Sequence, residues 1–366
     1  MTARPLPPMP EGLTPEWLTA TLRENGVLAP DLAITDVAAG QLGEGVGMMS
    51  ELCRLTPAYD RPAVDAPDSF IAKYASQNPT NRQIAMSFNL YEREVRYFAE
   101  LDALTSARCP ATYLTELDGD SFLILMEDMS DYRVGDQAIG ATLEETGAAI
   151  DELAKLHAAF WNNVEGISWV PHVYGSQHAR NMQAGTEAGW ETMVSLFGEY
   201  LSPAVLAMRD DIKPSIAPLQ KYMDQPPLTL SHGDFRMANF LFGTRPEHHP
   251  MVILDWQGPL LARGMQDVAI LLGQSARVEV RRGHERELLR RYLDGLAREG
   301  VADYGFEEAW THYRHAMLYN WAYATVVSGT LDPTNERGFA WMAQMIARQT
   351  AATEDLDLIG MLPFGG

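Results

Sequence analysis

Residues 228–257 read LTLSHGDFRMANFLFGTRPEHHPMVILDWQ. An apolar segment around Leu228 and Leu230 leads into His232-Gly233-Asp234, Asn239 follows that aspartate by five residues, and a second apolar segment, 251–254, delivers Asp255. Two short strands therefore present polar side chains at their ends. Taken singly, Asp and Asn serve turns well because their side chains bond nearby backbone. Taken together they supply what phosphoryl transfer needs: a carboxylate to accept the proton of an attacking hydroxyl, and oxygen ligands that hold Mg²⁺ on the phosphates. The expectation is that Asp234 is the base and that Asn239 and Asp255 are the metal ligands.

The interval from Asp234 to Asn239 matches the D-x-x-x-x-N catalytic loop of protein kinases, and an aspartate ending the next strand matches their Asp-Phe-Gly element. Here H-G-D stands in place of H-R-D and L-D-W-Q in place of D-F-G. With those departures the segment resembles the aminoglycoside phosphotransferase and choline kinase superfamily. Cys109-Pro110, LMEDMS at 125–130 and LAKLHAAFW at 153–161 are most similar to its ecdysteroid-kinase-like branch. The resemblance runs from about residue 40 to about residue 275 and implies a protein-kinase-like core that phosphorylates small molecules from ATP. It also places Arg236 where protein kinases carry a lysine near the γ-phosphate.

The chain has 366 residues, more than one core usually serves, so two lobes are expected. Its 46% hydrophobic and 21% charged residues are those of a globular protein and exclude a disordered or fibrous chain. A net charge of −21 without any basic block argues against nucleic acid or anionic membrane as a partner. Two cysteines, Cys53 and Cys109, are too few for a disulfide framework, and MTARPLPPMP at the N-terminus has no apolar signal core. A cytoplasmic protein is expected. The acidity favours a cationic acceptor such as an amino sugar or choline, whereas the 18 methionines and the ecdysteroid-kinase-like features favour a lipophilic alcohol.

Upstream, Thr14 caps a short helix that Asn25-Gly26 ends. A strand at 34–39, the stretch GQLGEGVG at 40–47 and a second strand near 51–55 form a glycine hairpin. Gly43, Gly45 and Gly47 would let its backbone lie over phosphates, although Met48 sits where the kinase pattern wants glycine. Phe70-Ile71-Ala72-Lys73 has the layout of the kinase strand whose lysine reaches the α- and β-phosphates. A helix predicted over 81–104 carries Ile84, Phe88, Tyr91, Val95, Phe98 and Leu101 at helical spacing, with Glu92 and Glu94 beside them. One glutamate should pair with Lys73. Periodicity leaves both open, and the resemblance favours Glu94.

Strands at 111–117 and 121–126 flank the turn Asp118-Gly119-Asp120. The backbone of Met126, Glu127 and Asp128 then falls where kinase-like folds clamp adenine. Thr142 to Glu145 reads as a capping box that opens a helix to about Asn162. His157 lies on that helix's apolar side and reads as a core histidine. Helical patterns fill the rest, at 187–200, 204–223, 264–274, 284–298, 306–327 and 335–353. Asp267, at the start of one of them, reads as a cap or a brace under the catalytic loop.

Strands come first and helices after, which predicts an α+β, bilobal, protein-kinase-like fold. Residues 1–126 would form a nucleotide-binding lobe with an antiparallel sheet, and 127–366 a helical catalytic and acceptor lobe. The function expected is ATP- and Mg²⁺-dependent phosphorylation of a small-molecule hydroxyl, the alternative being a nucleotide-binding pseudokinase that acts as a scaffold. A hydrolase built on His232, Asp234 and Asp255 fits less well, because Asn239 and the lysine–glutamate pair would then have no role.

Overall fold

The computed structural model describes residues 6–42, 49–329 and 336–365. The chain forms two compact units. One comprises Met1–Leu104, Cys109–Asp131 and Asp255–Gln257, and the other Thr105–Arg108, Tyr132–Leu254 and Gly258–Gly366.

In the first unit, α1 (Pro15–Glu24) begins where the Thr14 hydroxyl accepts the Trp17 N–H, and it buries Leu18 and Leu22. Five strands follow: β1 (Ile34–Leu42), β2 (Ser50–Tyr59), β3 (Phe70–Ala75), β4 (Thr112–Asp118) and β5 (Ser121–Glu127). They form the antiparallel sheet that the sequence predicts, in the order β1-β2-β3-β5-β4. β5 is buried on both faces, which is why it reads as an unbroken apolar run. Its Leu123 and Leu125 pack with Leu18, Leu22, Phe70 and Ala72, and its Phe122 and Ile124 pack with Tyr91 and Val95. Side-chain alternation along β3 puts Lys73 on the same face as Ile71 and Ala75, the face that carries Tyr91 and Val95.

The single helix expected over 81–104 is in fact broken. α2 (Pro79–Ser87) stops at Phe88, Asn89 takes a left-handed conformation at φ +54°, and α3 (Leu90–Arg96) starts afresh before a π-helical turn over Tyr97–Leu101. The restart resets which side faces the sheet. Tyr91, Glu94 and Val95 are buried, whereas Ile84 lies exposed on α2.

The second unit is mainly helical. β6 (Arg133–Val134) precedes α4 (Leu143–Ala159), where Thr142 and Glu145 form the reciprocal capping box read from the sequence. α5 (Gln177–Phe197) begins ten residues before the predicted helix, because Ser176 caps it by accepting the Ala179 N–H. α6 (Pro203–Ala207) and α7 (Arg209–Met223) replace one predicted helix. Four three-residue strands come next: β7 (Thr229–Ser231), β8 (Phe240–Phe242), β9 (Met251–Ile253) and β10 (Leu260–Ala262). The strands before His232 and before Asp255 do not pair with each other. β7 pairs with β10, and β9 joins β8 and β6.

After β10 come α8 (Met265–Ile270), which continues as a π-helical turn over Leu271–Ser275, and then α9 (Val278–Arg298), α10 (Phe306–Gly329) and α11 (Glu336–Asp355). On α10, Tyr313, Met317 and Trp321 recur at helical spacing as a fully buried stripe and belong to the core, whereas Trp310 at its start is only half-buried. Among the described residues no helix is long and apolar enough to cross a membrane.

Candidate active site

Two groups of polar side chains form, one in each unit. In the first, the Lys73 ammonium lies 2.6 Å from Glu94 Oε1 and 3.0 Å from Asp255 Oδ1. The Glu94 side chain is 1% exposed and that of Asp255 is 38% exposed, so Lys73 joins an interior carboxylate to an open one. Burial would pull the Lys73 pKa down, but the charges of Asp255 and Glu94 outweigh it and hold it above the ordinary lysine value. Burial pushes Glu94 upward against the attraction of Lys73, and Asp255 adds repulsion. The lysine therefore stays charged.

Gln257 donates from Nε2 to Glu94 Oε2 at 3.2 Å, which fixes the carboxylate from its other side. Glu92 instead pairs with Arg96 one turn along and stays exposed, at 45% of its side chain. Asp255 itself sits in the left-handed region, at φ +63°. The next residue, Trp256, stacks on Tyr97 with ring centroids 3.5 Å apart and planes 5° from parallel. This buried stack anchors the turn that presents the aspartate.

In the second unit the chain leaves β7 through His232-Gly233-Asp234. Gly233 is at φ +80°, and a Cβ there would lie 2.0 Å from the Gly258 carbonyl oxygen, so only glycine fits. The fully buried Asp267 carboxylate accepts the His232 N–H at 2.7 Å and the Gly233 N–H at 3.0 Å. His157 reaches the same carboxylate from Nε2 at 3.2 Å and contacts the Tyr292 hydroxyl from Nδ1 at 2.8 Å. Asp267 thus braces the loop backbone, and His157 is a satisfied core residue. The His232 ring donates from Nε2 to the Leu254 carbonyl at 2.9 Å while its Nδ1 accepts the Asp234 N–H at 3.3 Å. These two partners fix its tautomer and tie the loop to the end of β9.

The Asp234 carboxylate receives Arg236 Nε at 2.8 and 3.0 Å, Asn239 Nδ2 at 2.9 Å and the Tyr323 hydroxyl at 2.5 Å. Asn239 Nδ2 also donates to the Asp234 carbonyl at 2.9 Å, so both amide hydrogens face the aspartate and the amide oxygen is turned away from it. The Arg236 guanidinium lies 4.7 Å from the centre of the Trp341 ring. Among the described residues no three His, Cys, Asp or Glu side chains gather as a metal cluster.

Of the expected nucleotide-binding residues, Gly43, Gly45 and Gly47 lie outside the described residues. Met126 and Glu127 end β5, and the Glu127 N–H is already bonded to the Ala111 carbonyl at 2.8 Å. The Asp128 side chain is occupied by Ser69 Oγ and Arg54 Nε, both at 2.7 Å. Sequence reasoning missed Gln257, Tyr323 and Trp341. Gln257 closes the quoted stretch and was open to notice. Tyr323 sits two residues past Trp321, off the buried stripe of α10, and only its hydroxyl hinted at a role.

The model of the ecdysteroid kinase-like family matches residues 44–301. The chain belongs to the ecdysteroid kinase-like family. Its fold is α+β and two-lobed, of the protein-kinase-like class, and resembles solved structures at low sequence identity. One is choline kinase from Cryptosporidium parvum Iowa II, at 10% identity over 95% of this chain and 98% of that one, with a TM-score of 0.58. Another is the GDP and kanamycin complex of APH(2″)-IIia, at 12% identity over 92% and 99% of the two chains, with a TM-score of 0.53. At these identities the likeness is one of fold. No curated protein sequence matches the chain.

Proposed function

We propose that this family member is an ATP- and Mg²⁺-dependent phosphotransferase that moves the γ-phosphoryl group to a hydroxyl of a small organic molecule. The observation that carries the reading is the Asp234 carboxylate, held by Arg236 and Asn239 on a loop whose backbone is fixed by buried Asp267. A base must be oriented before it is useful, and here every donor that orients it is in place. Asp234 takes the acceptor hydroxyl's proton as the oxygen attacks. Arg236, stacked on Trp341, adds positive charge beside the base.

Lys73, positioned by Glu94, neutralises the α- and β-phosphates. The backbone of Met126, Glu127 and Asp128 serves adenine through groups other than the Glu127 N–H, which the Ala111 carbonyl holds. In this reading residues 1–126 hold the nucleotide and 127–366 the acceptor.

The residues present suit a hard cation. Asn239 turns an amide oxygen away from Asp234, and Asp255 exposes a carboxylate, the donor types Mg²⁺ takes alongside phosphate oxygens. When bound, Mg²⁺ neutralises charge on the transferring phosphoryl group. The likeness in fold to a choline kinase and to a phosphotransferase complexed with GDP and kanamycin supports nucleotide-dependent transfer to a small molecule.

The test is ADP release from Mg²⁺-ATP in the presence of panels of amino alcohols, amino sugars and sterols, with phosphorylated product identified by mass. Product formation from one class is the expected result. Nucleotide binding with no product from any panel would instead favour the scaffold reading.

A further inference from the structure

The Tyr323 hydroxyl donates to Asp234 Oδ1 at 2.5 Å, an O–H to carboxylate contact of the kind an acceptor hydroxyl must make with a general base. Of the donors on Asp234, Arg236 and Asn239 belong to the base's own loop. Tyr323 arrives from α10, 89 residues away in sequence. An ionised carboxylate offers about four lone-pair positions. Arg236 spans both oxygens and Asn239 takes Oδ2, so the phenol occupies the remaining place on Oδ1. The Asp234 side chain is 21% exposed, so water would reach that place if the phenol left it.

We propose that Tyr323 caps the base against water and yields its position only to the acceptor, so that it decides whether the phosphoryl group goes to substrate or to solvent. Tyr323 is thus a positioning residue, and the inference rests on the phosphotransferase reading. In the unwanted reaction a water oxygen forms the new bond to γ-phosphorus and the bond from γ-phosphorus to the bridging oxygen breaks. ADP leaves with the electron pair, and the water proton passes to Asp234. The phenol blocks this by holding the proton-accepting oxygen and by filling the volume in front of it. An acceptor displaces the phenol because its own hydroxyl replaces the hydrogen bond while the rest of the molecule supplies binding energy that water lacks.

The experiment is ADP release from Mg²⁺-ATP with no acceptor present, measured on wild type, Tyr323→Phe, Tyr323→Leu and the Asp234→Asn/Tyr323→Phe double variant. Nucleotide affinity and melting temperature are followed on the same preparations. Tyr323→Phe keeps the ring and removes the donor, so hydrolysis should rise roughly tenfold, the order of one hydrogen-bonded position exchanged. Tyr323→Leu, which also opens the volume, should rise further. The double variant should fall back to the wild-type level, because the gain depends on Asp234. A tyrosine that merely tethers the loop to α10 would give lower stability and equal or lower hydrolysis. Unchanged or reduced hydrolysis in both single variants, with Mg²⁺-ATP still bound, overturns the cap alone. Wild type that binds no Mg²⁺-ATP overturns the cap and the phosphotransferase reading together.

Discussion

Asparagine in place of Asp267 keeps the shape of the side chain and changes what it accepts. The wild-type carboxylate takes two backbone N–H groups, from His232 and Gly233, and contacts His157 Nε2, all at positions closed to solvent. Only one oxygen remains after the change. The other position becomes an NH₂ facing donors, which leaves a buried N–H without an acceptor. A hydrogen bond to a charged group is worth about 1.5–3 kcal/mol, and a stranded buried donor costs about 1–3 kcal/mol. Since the two overlap, a loss of about 3 kcal/mol is expected. For a unit of this size that lowers the melting temperature by roughly 6–12 °C.

Urea denaturation followed by far-ultraviolet dichroism measures the loss directly, with Asp255→Asn as the contrast. Asp255, half-buried beside Lys73, is proposed as a metal ligand, so its asparagine variant should weaken Mg²⁺-dependent nucleotide binding, since a neutral amide is a poorer ligand for a hard cation. Asp267→Asn with stability within about 1 kcal/mol of wild type would refute the brace, a difference below the range for buried charge-assisted bonds. So would a structure with Mg²⁺ bound directly to Asp267.

Two further outcomes follow from other residues. Lys73→Ala or Glu94→Ala should weaken nucleotide binding roughly tenfold to a hundredfold, the range for one or two charge-assisted hydrogen bonds, and leave a folded protein. Glu92→Ala should be silent in the same titration, and the reverse pattern would place the pair on the wrong glutamate. His312, pushed down to about 3 by burial with help from Arg263 and His315, contacts the Tyr304 hydroxyl through Nδ1 at 2.9 Å. The unfolded chain protonates this residue near its ordinary value of 6.5 and the folded chain resists. Its contribution to stability should therefore be full above that value and decline as pH falls below it. Melting temperature should drop between about pH 7 and about pH 5 with a slope that His312→Gln reduces, and equal slopes would exclude His312 as the source.

How much of this was legible in sequence depended on how local each signal was. The hairpin of β4 and β5 announced itself through the Asp118-Gly119-Asp120 turn, and the capping box at Thr142 and Glu145 is a four-residue pattern with its own physics. The loop from His232 to Asn239 carried its chemistry in its spacing. Other features were hidden because they depend on conformation at one residue or on distant partners. The break at Asn89 leaves the apolar positions on either side at helical spacing, so periodicity ran straight through it. That same break decides between Glu92 and Glu94, because α3 takes its orientation from Leu90 onward. Three-residue strands such as β7 and β10 carry too few residues to declare a partner. Tyr323 reaches Asp234 from another helix, and no local pattern marks such a meeting.

Asp234→Asn bears most directly on the proposed mechanism, and the measurement is nucleotide titration and steady-state turnover on one preparation. Asparagine keeps the size of the side chain and can still pair with Arg236 or Asn239 through its oxygen, but it cannot take the acceptor's proton. Proton transfer by a positioned group is typically worth about 10²–10⁴ in rate, so turnover should fall by that order while nucleotide affinity is retained. Full turnover by Asp234→Asn would contradict the mechanism, because the acceptor hydroxyl would then have lost its proton to some other group.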